Sequence, residues 1–291
     1  LGQSTISQNI VAISTFALLV AFASSMQDIV IDGYRIELLD QEDQGFGATS
    51  YIYGYRIGVL ISGAGALMLA DIMKWDAVFF VMALFMISTI VITIFAKETR
   101  PNFETKAHNF SKWFKYSVIA PFSDFKRYQK WYLILIFIIL FKLADAFAGN
   151  LTLPFLIDTG FSKIEIASIV KTFGLFATLF GVFCGGVLVK KCDLAKTLWI
   201  ASIMQMTSNL AFCYIAKLGY NPTSLYFVIF IENFSGGIGD AVFVAFLSGL
   251  CSKQYSATQY AILVSLSSLA RSFLSSPAGI FAQNYGWFNF F

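Results

Sequence analysis

Two aspartates and an arginine stand at the end of the first long apolar segment. Asp28 and Asp32 are four residues apart and Arg35 follows three residues later, so a helix places all three on one face. Ionisable side chains are costly inside a membrane and are typical of ion or substrate pathways. Two carboxylates one turn apart resist ionising together, which favours proton uptake by one of them. The pattern therefore predicts proton coupling at Asp28 or Asp32.

A second chemistry is open to an Asp-x-x-x-Asp pair, which can hold Mg²⁺ and a diphosphate in an intramembrane prenyltransferase. Such an enzyme needs a second acidic pair, whereas Asp145, Asp158, Asp193 and Asp240 stand singly. The sequence therefore disfavours an enzyme and predicts no metal or cofactor. The partners that we expect are protons, a small-molecule cargo and the lipid bilayer, with no nucleic acid.

The composition is that of an all-α, polytopic membrane protein. Of the 291 residues, 57% are hydrophobic and only 13% are charged, and the mean hydropathy is +0.71. Soluble domains are far more polar. Spanning a bilayer takes about 20 apolar residues in a helix. Eight stretches meet that length: 10–34, 46–70, 76–96, 131–157, 163–189, 195–216, 224–250 and 257–281.

The positive charges predict the orientation of these spans. One long polar break, Lys97 to Lys130, contains eight of the 20 lysines and arginines. When the loops alternate, the side of this break holds 13 basic residues and the opposite side holds three. Cytoplasmic loops of membrane proteins carry the excess of Lys and Arg. The break is therefore predicted to be cytoplasmic.

The position of the break also predicts the domain organisation. Three spans precede it and five follow, whereas symmetric transporters typically pack two bundles of six around a central cavity. We therefore interpret residues 1–96 as the remainder of an N-terminal bundle and 97–130 as the basic cytoplasmic central loop. Residues 131–291 form the C-terminal bundle, and the eight spans correspond to spans 4 to 11 of twelve.

Charged residues within the spans fall at common depths. At 1.5 Å per helical residue, Asp28 and Arg56 both lie about 15 Å from the inner face, where they can form an ion pair or each face a water-filled cavity. Counting from the outer face places Asp145, Lys171, Glu232 and Arg271 within roughly 8–12 Å of it. Lys142 lies one turn inward of Asp145. This outer group predicts a charge-balanced gate or binding layer, with purely structural pairing as the alternative.

Several motifs carry a family resemblance. Residues 27–35, Gln-Asp-Ile-Val-Ile-Asp-Gly-Tyr-Arg, resemble the signature of AmpG-type permeases of the major facilitator superfamily and, more loosely, of the related acetyl-CoA transporters. Further similar motifs follow in the family's order: Gly54-Tyr-Arg-Ile-Gly58, Lys142-Leu-Ala-Asp-Ala146, Glu232-Asn-Phe-Ser-Gly-Gly-Ile-Gly239 and Ala257-Thr-Gln-Tyr-Ala261. Asp240 departs from the pattern, since a small neutral residue is expected there, and it receives no role.

The resemblance implies a major facilitator-like fold and proton-driven import of N-acetylglucosaminyl-anhydro-N-acetylmuramyl peptides across the inner membrane, for cell-wall recycling. Carboxylates of such a cargo require Lys or Arg, and sugar hydroxyls require Asn or Gln. The candidates for proton coupling are Asp28, Asp32 and Glu232. The candidates for substrate binding or gating are Arg35, Arg56, Lys142, Asp145, Lys171, Asn233, Gln259 and Arg271. A transporter of another anionic metabolite, such as acetyl-CoA, and an inactive permease fragment are the alternatives.

Cysteine labelling tests the predicted orientation. Cysteines introduced near Lys115 and Lys191 should be shielded from an impermeant thiol reagent in intact cells, because both positions are predicted to face the cytoplasm. A cysteine near Lys217 should react. Labelling of the Lys115 position from outside would reverse the orientation and every depth that depends on it.

Overall fold

The computed structural model of the chain describes residues 10–98 and 110–291, apart from the side chains of Trp113, Ala144, Asp145 and Ala270. Residues 99–109 of the predicted central loop lie outside the described residues. Within the described ranges the chain is helical. The α-helices in chain order are α1 (Ile10–Leu38), α2 (Gln44–Leu60), α3 (Ala66–Ile72), α4 (Trp75–Phe95), α5 (Phe110–Phe114), α6 (Ala120–Phe125), α7 (Trp131–Phe141), α8 (Leu143–Asp158), α9 (Lys163–Ile166), α10 (Gly174–Lys191), α11 (Leu194–Leu218), α12 (Pro222–Leu250), α13 (Ser256–Leu274) and α14 (Ala278–Phe290).

Some of these helices join into longer rods. Three π-helical turns, Ile61–Gly65, Lys115–Ile119 and Ala167–Phe173, connect neighbouring α-helices. Seven helical stretches in the described residues are long and apolar enough to span a membrane: Ile10–Leu38, Gln41–Ile72, Trp75–Phe95, Trp131–Asp158, Lys163–Lys191, Leu194–Leu218 and Pro222–Leu250. They coincide with the first seven predicted spans. The eighth predicted range, 257–281, covers α13 and continues past a break into α14, and it is not among the seven.

Local sequence signals set several helix ends. Ser162 and Glu165 form a capping box at the start of α9, in which each side chain binds the other residue's backbone N–H. Asn221 caps α12 by accepting a hydrogen bond from the Ser224 N–H at 3.0 Å, and Pro222 occupies the first turn. Lys142 separates α7 from α8 with backbone angles of −97° and 0°.

Glycines allow α10 and α12 to pack at backbone distance. A Cβ on Gly181 would collide with the Phe234 carbonyl, and one on Gly185 would lie 2.9 Å from the Ile238 carbonyl oxygen. From the other side, a Cβ on Gly237 would collide with the Thr178 carbonyl. α12 continues without interruption through this contact. Gly237, in the middle of the span, therefore serves close packing.

One end of the bundle, which we call the inner end, carries residues 39–43, 192–193 and 251–255. There Lys190 Nζ lies 3.2 Å from Asp43 Oδ1, and Lys253 Nζ lies 3.5 Å from Asp40 Oδ1. Cys251 is also buried at this end, and its burial raises the pKa of the thiol to about 12. The two ion pairs join the helices before the predicted central loop to those after it. The sequence predicts that this end faces the cytoplasm.

The described part of the central loop is docked on the inner end. Gln259 Nε2 donates to the Pro121 carbonyl at 3.0 Å and to Asp124 Oδ2 at 2.8 Å. Arg127 Nη2 donates to the Leu250 carbonyl at 3.0 Å. This segment is thus hydrogen-bonded to the helices that follow it.

The α10–α12 contact gives a matched pair of substitutions. Gly237→Ala should destabilise the fold by about 1–3 kcal/mol, because backbone atoms cannot yield to the new methyl group. Gly236→Ala should be neutral or stabilising, because no atom lies within 4 Å of its Cβ position and alanine favours the helix. Thermal unfolding in detergent compares the two. Equal melting temperatures would show that the contact is looser than the structure indicates.

Candidate functional site

A cavity of about 670 Å³ lies where α1 and α2 meet the helices of the second half. Its wall draws on α1, α2, α8, α10, α11, α12 and α13. Among the described residues, six charged side chains line it, three acidic and three basic: Asp32, Arg56, Lys142, Glu232, Asp240 and Arg271. A polar cavity of this size at the junction of helical bundles is typical of a small-molecule site.

Helical spacing brings the α12 residues onto the cavity wall. Glu232, Gly236 and Asp240 follow one another at intervals of four, so they form one stripe. Asn233 stands beside the stripe and donates from Nδ2 to Glu232 Oε2 at 2.9 Å. The Thr178 hydroxyl of α10 lies 3.1 Å from Asn233 Oδ1. Glu232 is therefore part of a hydrogen-bonded network.

The three cations that line the cavity differ in their ion pairing. Lys142 Nζ lies 2.7 Å from Asp240 Oδ1. For Arg56 and Arg271 the structure records no ion pair with any acidic residue among those described. An unpaired guanidinium presents up to five donors in a planar fork that matches a carboxylate. Arg56 and Arg271 are thus suited to bind an anionic ligand.

Hydroxyl and amide groups form another part of the wall. Ser267, Ser268 and Ser272 of α13 and Ser275, which directly follows that helix, line the cavity, and Asn150 of α8 donates to Ser275 Oγ at 3.1 Å. Serine and asparagine side chains both donate and accept hydrogen bonds. Such a surface can bind the hydroxyl or amide groups of an uncharged ligand moiety.

Arg35 is buried between the cavity and the inner end. Its guanidinium carbon lies 5.4 Å from the Tyr51 ring centre and 5.2 Å from the Tyr260 ring centre. Nη1 donates to Ser248 Oγ at 2.9 Å, and Nη2 lies 3.5 Å from Asp32 Oδ1. We call these five residues the Arg35 clasp. It joins α1 to α2, α12 and α13.

Closer contacts surround the clasp on the side of the inner end. A Cβ on Gly33 would lie 2.8 Å from the Ala257 Cβ, and a Cβ on Gly186 would collide with Thr49 Oγ1. Ser256 Oγ donates to Glu37 Oε1 at 2.6 Å. The cavity is therefore closed towards the inner end.

The structure brings together most of the predicted site residues. Asp32, Arg56, Lys142, Glu232, Asn233 and Arg271 line the cavity, and Arg35 lies directly behind its wall. Glu232 and Arg271 both belong to the predicted outer layer and face the cavity, although no ion pair between them is recorded.

Other predicted residues are placed elsewhere. Asp28 is exposed on α1 and is not a lining residue, and no Asp28–Arg56 ion pair is recorded. Lys171 is exposed on the π-helical turn and is not a lining residue. The amide of Gln259 is engaged with the central loop. The side chain of Asp145 lies outside the described part of the structure.

Sequence reasoning missed Asp240 and the serines of α13. Asp240 has a signal in the sequence, because it lies two helical turns after Glu232 and therefore on the same face. The serines carry no charge that would mark them. Among the described residues, no group of three His, Cys, Asp or Glu side chains is placed to hold a metal ion.

Known proteins resemble this chain over nearly its whole length. The anhydromuropeptide permease of Escherichia coli (strain K12) is 38% identical over 280 residues, which are 96% of this chain and 56% of that protein. The putative transporter AmpG 4 of Rickettsia conorii is 40% identical over 278 residues, 94% of this chain and 67% of that protein. The chain thus spans a little more than half the length of the Escherichia coli relative.

The putative transporter AmpG 3 of Rickettsia prowazekii is 34% identical over an alignment of 295 positions, gaps included, which covers 97% of this chain and 68% of that protein. The family-level comparison agrees with these similarities, since residues 1–287 match the Major Facilitator Superfamily. The apolar helices, the central polar cavity and the matches all agree, and the chain belongs to the major facilitator superfamily.

Proposed function

We propose that this chain provides the cargo cavity of a proton-coupled importer of anhydro-muropeptides. The cargo is N-acetylglucosaminyl-anhydro-N-acetylmuramic acid and its peptides, carried across the inner membrane for cell-wall recycling. The family membership and the name of the Escherichia coli relative support a permease of this kind. The observation that carries the proposal is that two arginines, Arg56 and Arg271, for which no ion pair with a described acidic residue is recorded, line the same cavity as a hydroxyl-rich wall.

Arg56 and Arg271 are the proposed carboxylate ligands. They come from different helices, α2 and α13, so a cargo held by both bridges the two halves of the chain. Each guanidinium can bind a carboxylate with two parallel hydrogen bonds. A cargo that contacts both halves stabilises one arrangement of the helices over another, as transport requires.

The part of the cavity wall formed by Ser267, Ser268, Ser272 and Ser275, which we call the serine wall, is the proposed sugar site. The hydroxyls of Ser267 and Ser268 and the amide of Asn150 lie at the cavity surface. Each can exchange hydrogen bonds with water for hydrogen bonds with sugar hydroxyl and acetamido groups. This uncharged wall and the two arginines together match a ligand with sugar and peptide parts.

Asp32 is the proposed proton carrier. It lines the cavity, and its Oδ1 is buried without a hydrogen bond, 3.5 Å from Arg35 Nη2. Protonation would remove the negative charge beside Arg35 and weaken the clasp that closes the inner end. Proton binding at Asp32 is thereby coupled to opening. Glu232 is the second candidate because it also lines the cavity.

Uptake in vesicles tests the arginines. In the whole protein, Arg56→Gln and Arg271→Gln should each raise the KM for anhydro-muropeptide about tenfold or more, since each removes a charged hydrogen-bond partner. The KM of Arg271→Lys should fall between those of the wild type and Arg271→Gln, because lysine keeps the positive charge but lacks the planar fork. Lys171→Gln is the control, as this exposed cation does not line the cavity, and its KM should stay within about twofold.

The same assay separates the candidate cargoes. Acetyl-CoA and the muropeptide are added as unlabelled competitors against labelled muropeptide. Competition by the muropeptide alone supports the proposed cargo. Transport of acetyl-CoA in preference to the muropeptide would contradict it and would assign the arginines to another anionic metabolite.

An imposed pH gradient tests the coupling. Asp32→Asn should abolish uphill accumulation, because the side chain can no longer take and release a proton, while exchange of cargo without a gradient should persist. Asp28→Asn, an exposed aspartate one turn away, should have the smaller effect. A well-folded Asp32→Asn protein that still accumulates cargo uphill would leave Asp32 with a structural role only, through Arg35.

A further inference from the structure

A second cavity, of about 310 Å³, lies between the docked part of the central loop, the start of α7 and α13. We call it the loop groove. Its lining residues are Pro121, Phe122, Phe125, Lys126, Trp131, Leu135, Gln259, Ile262, Leu263 and Leu266. The surface of the loop groove is almost entirely apolar, and the amide of Gln259 is already engaged with Pro121 and Asp124. The loop groove is therefore suited to hydrocarbon.

The loop groove and the cavity of about 670 Å³ lie on different faces of α13. Ile262 and Leu266 line the loop groove. Val264, Ser267 and Arg271 line the larger cavity instead, because they project from another side of the helix. Of the described residues, none lines both. The loop groove is thus a separate site, and an inference about it does not depend on the identity of the cargo.

The loop groove extends from the inner end into the membrane-spanning part of the bundle. Trp131 is the first residue of the spanning stretch Trp131–Asp158, and Leu135 lies one turn further along it. On α13, Leu266 lies about 15 Å from the first residue, Ser256. Tryptophan is typical of the boundary between membrane and water. The loop groove therefore has one end at the level of the lipid headgroups and the other at the level of the acyl chains.

The headgroup end of the loop groove is basic. Lys126 lines the groove and Lys130 follows one turn later, and both are exposed. Within residues 10–98 and 110–291, the structure records no ion pair for Lys126 or Lys130. Asp124 is the one acidic residue in the sequence from 110 to 130, and its Oδ2 lies 2.9 Å from Arg127 Nη1. The two lysines are thus available to a negatively charged ligand.

We propose that the loop groove binds an acyl chain of an anionic phospholipid from the leaflet at the inner end, with the lipid phosphate at Lys126 and Lys130. The acyl chain matches the apolar lining, and basic residues beside a spanning helix attract anionic headgroups. A soluble anion lacks the chain. A zwitterionic lipid has the chain, but it carries its own cation close to the phosphate.

A lipid in the loop groove would contact two elements of the inner end at once. Pro121 and Phe125 belong to the docked loop, and Ile262 and Leu266 belong to α13. Bound lipid therefore adds contacts between elements that hydrogen bonds of Gln259 already join. A ligand that binds only the docked arrangement stabilises it, so the lipid should raise the melting temperature.

Native mass spectrometry of the whole protein in detergent tests the headgroup. Phosphatidylglycerol and phosphatidylcholine with identical acyl chains are added in equal amounts. The wild type should retain phosphatidylglycerol at least fivefold more than phosphatidylcholine, because each basic residue near a membrane surface favours anionic lipid by about fivefold. The double variant Lys126→Gln, Lys130→Gln should lower this preference to about twofold or less.

A matched pair of lysines controls for general attraction to the basic loop. The double variant Lys112→Gln, Lys115→Gln removes the same charge from exposed positions that do not line the loop groove, and it should keep the wild-type preference. An equal loss of preference in both double variants would overturn the proposal, because the lipid would then bind the loop surface and not the groove.

Filling the loop groove tests the acyl chain. Leu135→Trp should abolish both the retention of phosphatidylglycerol and the rise in melting temperature that this lipid causes, because the larger side chain occupies the space of the chain. Leu133→Trp is the control, since Leu133 is exposed on the same helix and does not line the groove. If Leu135→Trp does not fold, Leu266→Phe replaces it.

Two outcomes of these measurements would contradict the proposal. Equal retention of phosphatidylglycerol by Leu135→Trp and Leu133→Trp would show that only lipid around the bundle is bound. Competition by glycerol phosphate, which has the charged headgroup without the chain, would assign Lys126 and Lys130 to a soluble anion. Neither measurement involves the cargo, so a protein that fails to bind anhydro-muropeptide and retains the lipid as expected would refute the proposed function alone.

Discussion

A guanidinium ion held within a membrane-spanning helix must be surrounded by groups that replace water, and Arg35 is surrounded by side chains of three other helices. A buried charge without partners is costly, and a desolvated cation–π contact offsets about 2 kcal/mol of that cost. The rings of Tyr51 and Tyr260 supply two such contacts, and Ser248 and Asp32 supply polar ones. Four helices therefore converge on one charge.

The clasp is incompletely hydrogen-bonded, which bears on the opening that the proposed function requires. Nε and Nη2 of Arg35 and Oδ1 of Asp32 are buried without a hydrogen bond. A buried polar group without a partner weakens the state that contains it. Arg35 thus joins the four helices, and the clasp is less stable than a fully hydrogen-bonded one would be. The gain or loss of one charge in the clasp is therefore a large change relative to the small net stability of these contacts.

Much of this arrangement follows from the sequence because a membrane imposes simple rules. The length of the apolar stretches predicts the spans. Because a charged side chain exposed to lipid is energetically costly, a charged residue within a span is predicted to face a cavity, as Arg56, Glu232 and Arg271 do. Counting residues gives the depth of a side chain along the helix axis, but not the direction in which the side chain points around that axis. The π-helical turn Ala167–Phe173 changes that direction, and Lys171 consequently lies outside the cavity. The amide of Gln259 is engaged outside the cavity for another reason, since its partners Pro121 and Asp124 belong to a polar loop whose docking has no periodic signal.

The glycine contacts at the inner end have a consequence for how abruptly the chain can change state. Gly33, Gly45 and Gly186 bring helices of the two halves to van der Waals distance. Dispersion forces fade steeply, so a gap of about 0.5–1 Å already forfeits a quarter to a half of each contact. The ion pairs of Lys190 and Lys253 reach farther, to about 10 Å at 0.1 M salt. In the opening that the proposed function requires, the glycine contacts would therefore be lost within the first ångström of separation, while the ion pairs would still attract the two halves across a longer distance.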